Sequence, residues 1–161
     1  MLIRRALGSE ASALSALAVD AKQYWPYAAD DIERWRPLLA VTAADIATNP
    51  AFVAELDATV VGFYLLVPGA TIWTLEHLWI SPRFARRGIG RALLMHAVST
   101  AQCAGAMAIA IDADPHAEGF YIACGAVREG VVAAPIASDP GRIRPQLSLR
   151  VATRPVEPTE G

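Results

Sequence analysis

The sequence predicts a mixed α/β domain built on one central sheet. Three observations lead there. Apolar residues at Leu14, Leu17 and Ala18, and again at Leu93, Ala97, Ala101 and Ala104, recur at the spacing of a helix face. Between these stretches, residues 51–56 and 59–67 are short apolar runs rich in valine and aromatics, as strands are. Extended and helical segments then alternate along the second half of the chain, the pattern of a sheet covered by helices.

The elements follow in order. Met1 to Leu7 reads as a first strand, closed by Gly8 and Ser9, and Ser9 is placed to cap a helix beginning near Glu10. Asp30 or Asp31 is placed to cap a second helix that runs through Trp35 and stops at Pro37. A shorter helical piece over Thr42 to Thr48 ends before Pro50. The runs at 51–56 and 59–67, joined by Asp57-Ala58, pair as a hairpin. Pro68-Gly69 turns the chain into a strand from Ile72 to Ile80, ended by Ser81-Pro82. Gly88 to Ala104 forms a helix with Gly105 as its stop. Met107, Ile109 and Ile111 alternate with alanines, a strand with both faces buried. Asp114-Pro115 combines a cap with proline at the first helical position, and Gly125 ends that helix. Val127 to Ala133 and Gln146 to Val151 are the last strands, joined by the loop from Pro135 to Pro145. The order is β–α–α–β–β–β–α–β–α–β–β, with residues 1–151 as one domain and the proline-bearing tail 152–161 expected to be disordered.

Composition narrows the function. With 14 basic and 16 acidic residues, a net charge of −2 argues against a dedicated nucleic-acid binder, which carries a basic excess. Each apolar run is broken by a charge or proline before the eighteen or so residues a bilayer span needs, so no membrane partner is expected. The N-terminus lacks the basic start and long apolar stretch of a signal peptide, and a cytoplasmic location is the expectation. Cys103 and Cys124 form no CxxC pair and stand in no His/Cys cluster. They read as small buried hydrophobes, and no metal is expected.

One segment carries chemistry. Arg86-Arg87-Gly88-Ile89-Gly90-Arg91 lies between a strand and a helix. A helix N-terminus leaves backbone N–H groups unpaired and attracts phosphate. Glycine lets the backbone approach the anion closely, and Arg86, Arg87 and Arg91 add charge around it. An ordinary glycine turn with a solvated basic patch would look the same, so context decides. The GxxxxGK loop of NTPases is absent, and the dinucleotide fingerprint GxGxxG fails at its third glycine, where Leu93 stands.

The segment Leu78-Trp79-Ile80-Ser81-Pro82 with Arg86 to Leu94, followed by Asp114-Pro115-His116-Ala117-Glu118-Gly119-Phe120-Tyr121 and Gly125-Ala126, resembles the GNAT superfamily of N-acyltransferases. The two motifs stand at matching separation, and the element order agrees from the first strand to Val151. The resemblance implies a mostly antiparallel central sheet of about seven strands flanked by about four helices. It implies acetyl-CoA as acyl donor, a small-molecule amine as acceptor, and the homodimers common among relatives. Leu78, Trp79 and Ile80 would offer free backbone to pantetheine, while Arg86, Arg87, Gly88, Ile89, Gly90 and Arg91 would hold the pyrophosphate. Two positions depart from the pattern: Ala85 stands where the family has Arg or Gln, and Asp114 where many members have Asn. By the resemblance Asp114 would also contact the cofactor.

By the same resemblance Tyr121 occupies the general-acid position, donating a proton to the departing CoA thiolate. Glu76 is the candidate base. By strand alternation it shares a face with Thr74, Leu78 and Ile80, and its charge among apolar neighbours calls for a purpose or a partner. A salt bridge to an arginine satisfies it equally, and His77 or a water is the alternative base. Trp25 and Tyr27 near the first two helices, His77, and Arg142 in the 135–145 loop are candidate acceptor contacts. The alternative to an enzyme is a non-catalytic acyl-CoA-binding module of the same fold.

Overall fold

The computed structural model describes residues 1–152, so the tail expected to be disordered lies, Ala152 apart, outside the described residues. Seven strands form one sheet in the order β1-β2-β3-β4-β5-β7-β6. Strands β1 (Leu2–Arg5), β2 (Ala51–Leu56), β3 (Thr59–Val67) and β4 (Ile72–Ile80) pair antiparallel in sequence. Strand β5 (Ala108–Asp112) joins β4 in parallel, and β7 (Ile143–Arg150) lies antiparallel between β5 and β6 (Val127–Ala133). A parallel neighbour needs a crossover connection, and the helix α4 (Ile89–Cys103) supplies it. The sheet is the mixed, mostly antiparallel one expected.

Helices cover both faces. Leu14, Ala18 and Val19 of α1 (Ala11–Gln23), Ile32 and Leu39 of α2 (Ala29–Leu39) and Ile46 of α3 (Ala43–Thr48) pack with Val53, Phe63 and Leu65. On the opposite face Leu93, Leu94, Ala97 and Ala101 of α4 and Tyr121 of α5 (Glu118–Ala123) pack with Tyr64, Leu66, Leu75 and Ile109. Among the described residues the α-helices number five, against about four expected, because the short helical piece before Pro50 forms a helix of its own. This helix, α3, is well capped: Thr42 Oγ1 accepts from the Asp45 N–H while Asp45 Oδ2 accepts from the Thr42 N–H.

Several boundaries differ from the sequence reading. Ser9 sits inside a single 3-10 turn, and the Glu10 carboxylate does the capping instead, accepting the Leu7 N–H at 2.8 Å. Pro37 does not stop α2, which continues to Leu39. Proline there forfeits one N–H a turn from the end, and the buried Leu39 side chain draws the last turn onto the core. Strand β7 starts at Ile143 and contains Pro145. The Ala113 N–H still donates to the Pro145 carbonyl at 2.9 Å, and because Pro145 stands at the end of the β5–β7 ladder its missing N–H costs only the last reciprocal bond. The cysteines are not both buried: Cys103 is exposed and Cys124 half-buried. Among the described residues no helix is long and apolar enough to cross a membrane, and no cluster of three His, Cys, Asp or Glu side chains is placed to hold a metal.

Candidate active site

Strand β4 pairs with β5 through only three residues, Ile72 to Thr74, although β4 runs six residues further. Beyond Thr74 the two strands diverge. The β5-facing edge of Leu78, Trp79 and Ile80 is therefore free, while their other edge stays bonded to Tyr64, Phe63 and Gly62 of β3. The divergence opens a cleft of about 580 Å³, lined by Leu78 to Ile80, the glycine turn, Trp25 after α1, and the segment from His116 to Cys124.

At one end the chain turns sharply into α4. Gly88 caps the helix in the left-handed region at φ 77°, where a Cβ would be strained. Arg86, without glycine's freedom, also stands there at φ 60°. Ala92 donates to the Gly88 carbonyl at 3.0 Å, which leaves the N–H groups of Ile89, Gly90 and Arg91 without intrahelical partners. At Gly90 a Cβ would stand 3.4 Å from Phe120 Cζ and 3.5 Å from Ile80 Cγ1, so glycine keeps the gap between the cleft walls clear. Arg86 and Arg91 line the cleft. Arg87 does not; its guanidinium lies 5.2 Å from the centre of the Phe84 ring. Ala85 lines the cleft in extended conformation and leaves the side-chain charge to Arg86 and Arg91.

Tyr121 lies where α5 meets the cleft, 8% exposed. Burial pushes its phenol above the ordinary tyrosine value, with smaller contributions from Cys124 and Asp114. No fully buried side-chain polar atom among the described residues lacks a hydrogen-bond partner. The Tyr121 hydroxyl, which bonds to no described protein group, therefore opens onto the cleft.

Glu76 is placed elsewhere. The β3–β4 register slips between Leu65 and Leu66, where Leu65 faces His77 and Leu66 faces Leu75, so Glu76 is the extra residue of a bulge. The bulge reverses the alternation. Trp73 and Leu75 before it and Leu78 and Ile80 after it all pack on the α4 side, whereas Trp79 packs on the α1–α2 side. Glu76 accordingly does not share a face with Leu78 and Ile80. It is exposed and lines a second depression with Pro37, Asp45, Asn49 and His77. His77 is buried there, and burial lowers its imidazole to about 4, against a smaller opposing effect of Asp45. Its Nδ1 accepts the indole N–H of Trp79 at 3.1 Å, which fixes the ring that lines the cleft.

Asp114 also departs from its expected place. Rather than capping α5 directly, its Oδ1 accepts the His116 N–H at 2.8 Å and the helix begins at Glu118. Asp114 Oδ2 points away from the cleft lining into a buried cluster. It accepts from Lys22 Nζ at 2.6 Å and from the Tyr27 hydroxyl at 2.8 Å, with Arg142 Nη2 at 3.4 Å. Burial opposes the carboxylate's charge, but Lys22, the His116 N–H and Tyr27 outweigh it and hold Asp114 below its ordinary value. Burial depresses the Lys22 ammonium despite Asp114, and pushes the Tyr27 phenol, with help from Asp114, up to about 12. Arg142 donates to the Ala134 carbonyl and to Tyr27, and is 7% exposed. Of the candidate acceptor contacts, only Trp25 lines the cleft; Tyr27 and Arg142 stand behind it and His77 in the other depression.

Two residues were not singled out from the sequence. Lys22 follows Leu14 and Ala18 at four-residue steps, which puts it on the buried face of α1. His116 lies within the second motif and stacks on Trp25 with ring centres 5.7 Å apart.

Residues 14–126 match the acetyltransferase (GNAT) family model. Among solved structures, a GCN5-related N-acetyltransferase from Rhodopseudomonas palustris superposes with a TM-score of 0.77 at 21% identity, over 92% of this chain and 94% of that one. The PaiA N-acetyltransferase from Thermoplasma acidophilum, solved with coenzyme A, gives 0.71 at 18% identity, covering 92% and 98%. YncA from Salmonella typhimurium, solved with acetyl-CoA, gives 0.71 at 14% identity, covering 99% and 98%. No curated protein matches the sequence.

Proposed function

The chain belongs to the acetyltransferase (GNAT) family, and from that premise we propose that it transfers the acetyl group of acetyl-CoA to a primary amine by direct attack within a ternary complex. The observation that carries this reading is the divergence of β4 from β5 beside the glycine turn, with Tyr121 at the same cleft. The unpaired N–H groups of Ile89, Gly90 and Arg91 suit a pyrophosphate, with Arg86 and Arg91 supplying charge. The free edge of Leu78 to Ile80 suits pantetheine as an added strand, and one of its N–H groups would polarise the thioester carbonyl. Holding donor and amine in one cleft makes the attack effectively unimolecular.

Three proton transfers complete the reaction. The amine must lose a proton to attack, and with Glu76 and His77 facing the second depression that proton leaves to water in the cleft. As the C–S bond breaks, the CoA sulfur takes a proton from the Tyr121 hydroxyl, which its raised pKa keeps protonated near neutral pH. The nitrogen that has joined the acetyl carbon gives up its second proton through water, and this restores the Tyr121 hydroxyl. Thiol release from acetyl-CoA, followed across a panel of primary amines, tests the reading. Tyr121→Phe is expected to cut turnover at least tenfold while acetyl-CoA affinity stays within about twofold. Unchanged turnover in that variant would remove Tyr121 from its role.

A further inference from the structure

The α1 end of the cleft is aromatic and carries no negative charge. Tyr24, Trp25, Trp79 and His116 line it. Trp25 is half-buried, tilted against Trp79 with ring centres 6.2 Å apart and stacked on His116. Trp79 is the one residue of the free β4 segment that packs toward the α1–α2 layer, and its N–H bond to His77 holds its ring in place. The two indole planes stand 53° apart, so the fixed rings form an angled notch in which a flat π system meets one ring by its face and the other by its edge.

Charge sets the second constraint. Among the described residues lining the cleft there is no Asp or Glu, whereas Arg86 and Arg91 are both present. Behind the aromatic wall two buried cations, Lys22 and Arg142, share the single carboxylate of Asp114. Arg144, whose charge also bears on Lys22, is itself paired with Asp112 at 3.0 Å. The cluster therefore keeps one excess positive charge. It lies against the rings as well: Lys22 Nζ is 5.7 Å from the Trp25 ring centre and 4.6 Å from that of Trp35, with the Arg142 guanidinium 5.0 Å from Trp35. Ring faces already holding a cation attract a second one poorly, and like charges in a partly buried site repel.

We propose that the acceptor is an aromatic amine carrying at most one positive charge, seated against Trp25 and Trp79. This rests on the acetyltransferase reading for its chemistry, and the two are tested separately. At saturating acetyl-CoA, kcat/KM is measured for tryptamine, for hexylamine as a monocation without a ring, and for spermidine as a polycation. Tryptamine should exceed hexylamine at least tenfold and spermidine by more, and Trp25→Ala should abolish the preference while leaving the acetyl-CoA Kd within about twofold. Equal or better use of hexylamine or spermidine overturns the proposal and leaves the transferase reading standing. If no amine is acetylated, calorimetric titration of the three amines into CoA-loaded protein decides. Selective tryptamine binding then upholds the aromatic subsite while removing the enzyme reading, and equal or absent binding overturns the proposal.

Discussion

Replacing Asp114 by asparagine removes the one carboxylate that Lys22 and Arg142 share, at almost constant shape. The side chains of Lys22, Asp114 and Arg142 are 11%, 5% and 5% exposed, so water replaces little of what is lost. Asparagine still offers an oxygen to the Tyr27 hydroxyl or to the His116 N–H, and the main loss is charge. Unpairing a buried ion pair by removing one partner costs about 3–5 kcal/mol. The stability of a typical domain is about 5–15 kcal/mol, so the variant should lose at least about a fifth of its margin. Urea unfolding followed by tryptophan fluorescence should show a lower midpoint with an unchanged slope. A lysine held below its ordinary value in the folded state binds its proton more tightly when unfolded. The deficit should therefore shrink as pH rises toward the unfolded lysine value of about 10.5. Because Oδ2 points away from the cleft, acetyl-CoA affinity should change less than about threefold on the same reasoning. A loss below about 1 kcal/mol would refute the ion-pair argument. A large loss of acetyl-CoA affinity at unchanged stability would return Asp114 to the cofactor site.

Further outcomes follow from the same geometry. In Gly62→Ala the new Cβ would meet Ile80 Cδ1 at 2.8 Å, the Trp79 carbonyl at 3.0 Å and Leu93 Cδ1 at 3.1 Å. A cost of about 1–3 kcal/mol is expected, with weaker acetyl-CoA binding in calorimetry because the β4 edge is displaced; binding at wild-type strength would argue against that edge as the pantetheine contact. Arg86→Gly relieves the positive φ and should stabilise the fold by about 1 kcal/mol in thermal melts, while weakening acetyl-CoA binding several-fold; an unchanged Kd would take Arg86 out of the phosphate site. The His77 imidazole lies at about 4 when folded, against an ordinary value of 6.5. Between these values the unfolded chain binds the extra proton, so stability is full above about pH 6.5 and falls by about 3 kcal/mol as pH drops to 4. His77→Gln should flatten that limb in urea titrations at pH 7, 5.5 and 4.5, and an equally steep limb would assign it to other groups.

The local pattern of the chain determined its elements and its glycine turn. Strands β2, β3 and β4 have the bounds that alternation and turn residues predict, because both signals act within a few residues. Gly88 and Gly90 were legible for the same reason, since a positive φ and a close approach are properties of one turn. Tyr121 was found by its motif and does line the cleft. What the sequence could not decide depended on neighbours distant along the chain. One extra residue opposite Leu65 takes Glu76 out of the alternation, and only pairing with β3 reveals that bulge. Pro37 sits inside α2 because the core holds Leu39, and Asp114 turns from the cleft because Lys22 and Tyr27, some ninety residues earlier, present their polar atoms to it. Secondary structure answers to short-range periodicity, whereas a buried charge answers to whichever partners the tertiary fold brings within hydrogen-bonding distance. For this protein short-range periodicity set the elements, the resemblance of two motifs pointed to the cleft, and the tertiary partners determined which side chains face into it.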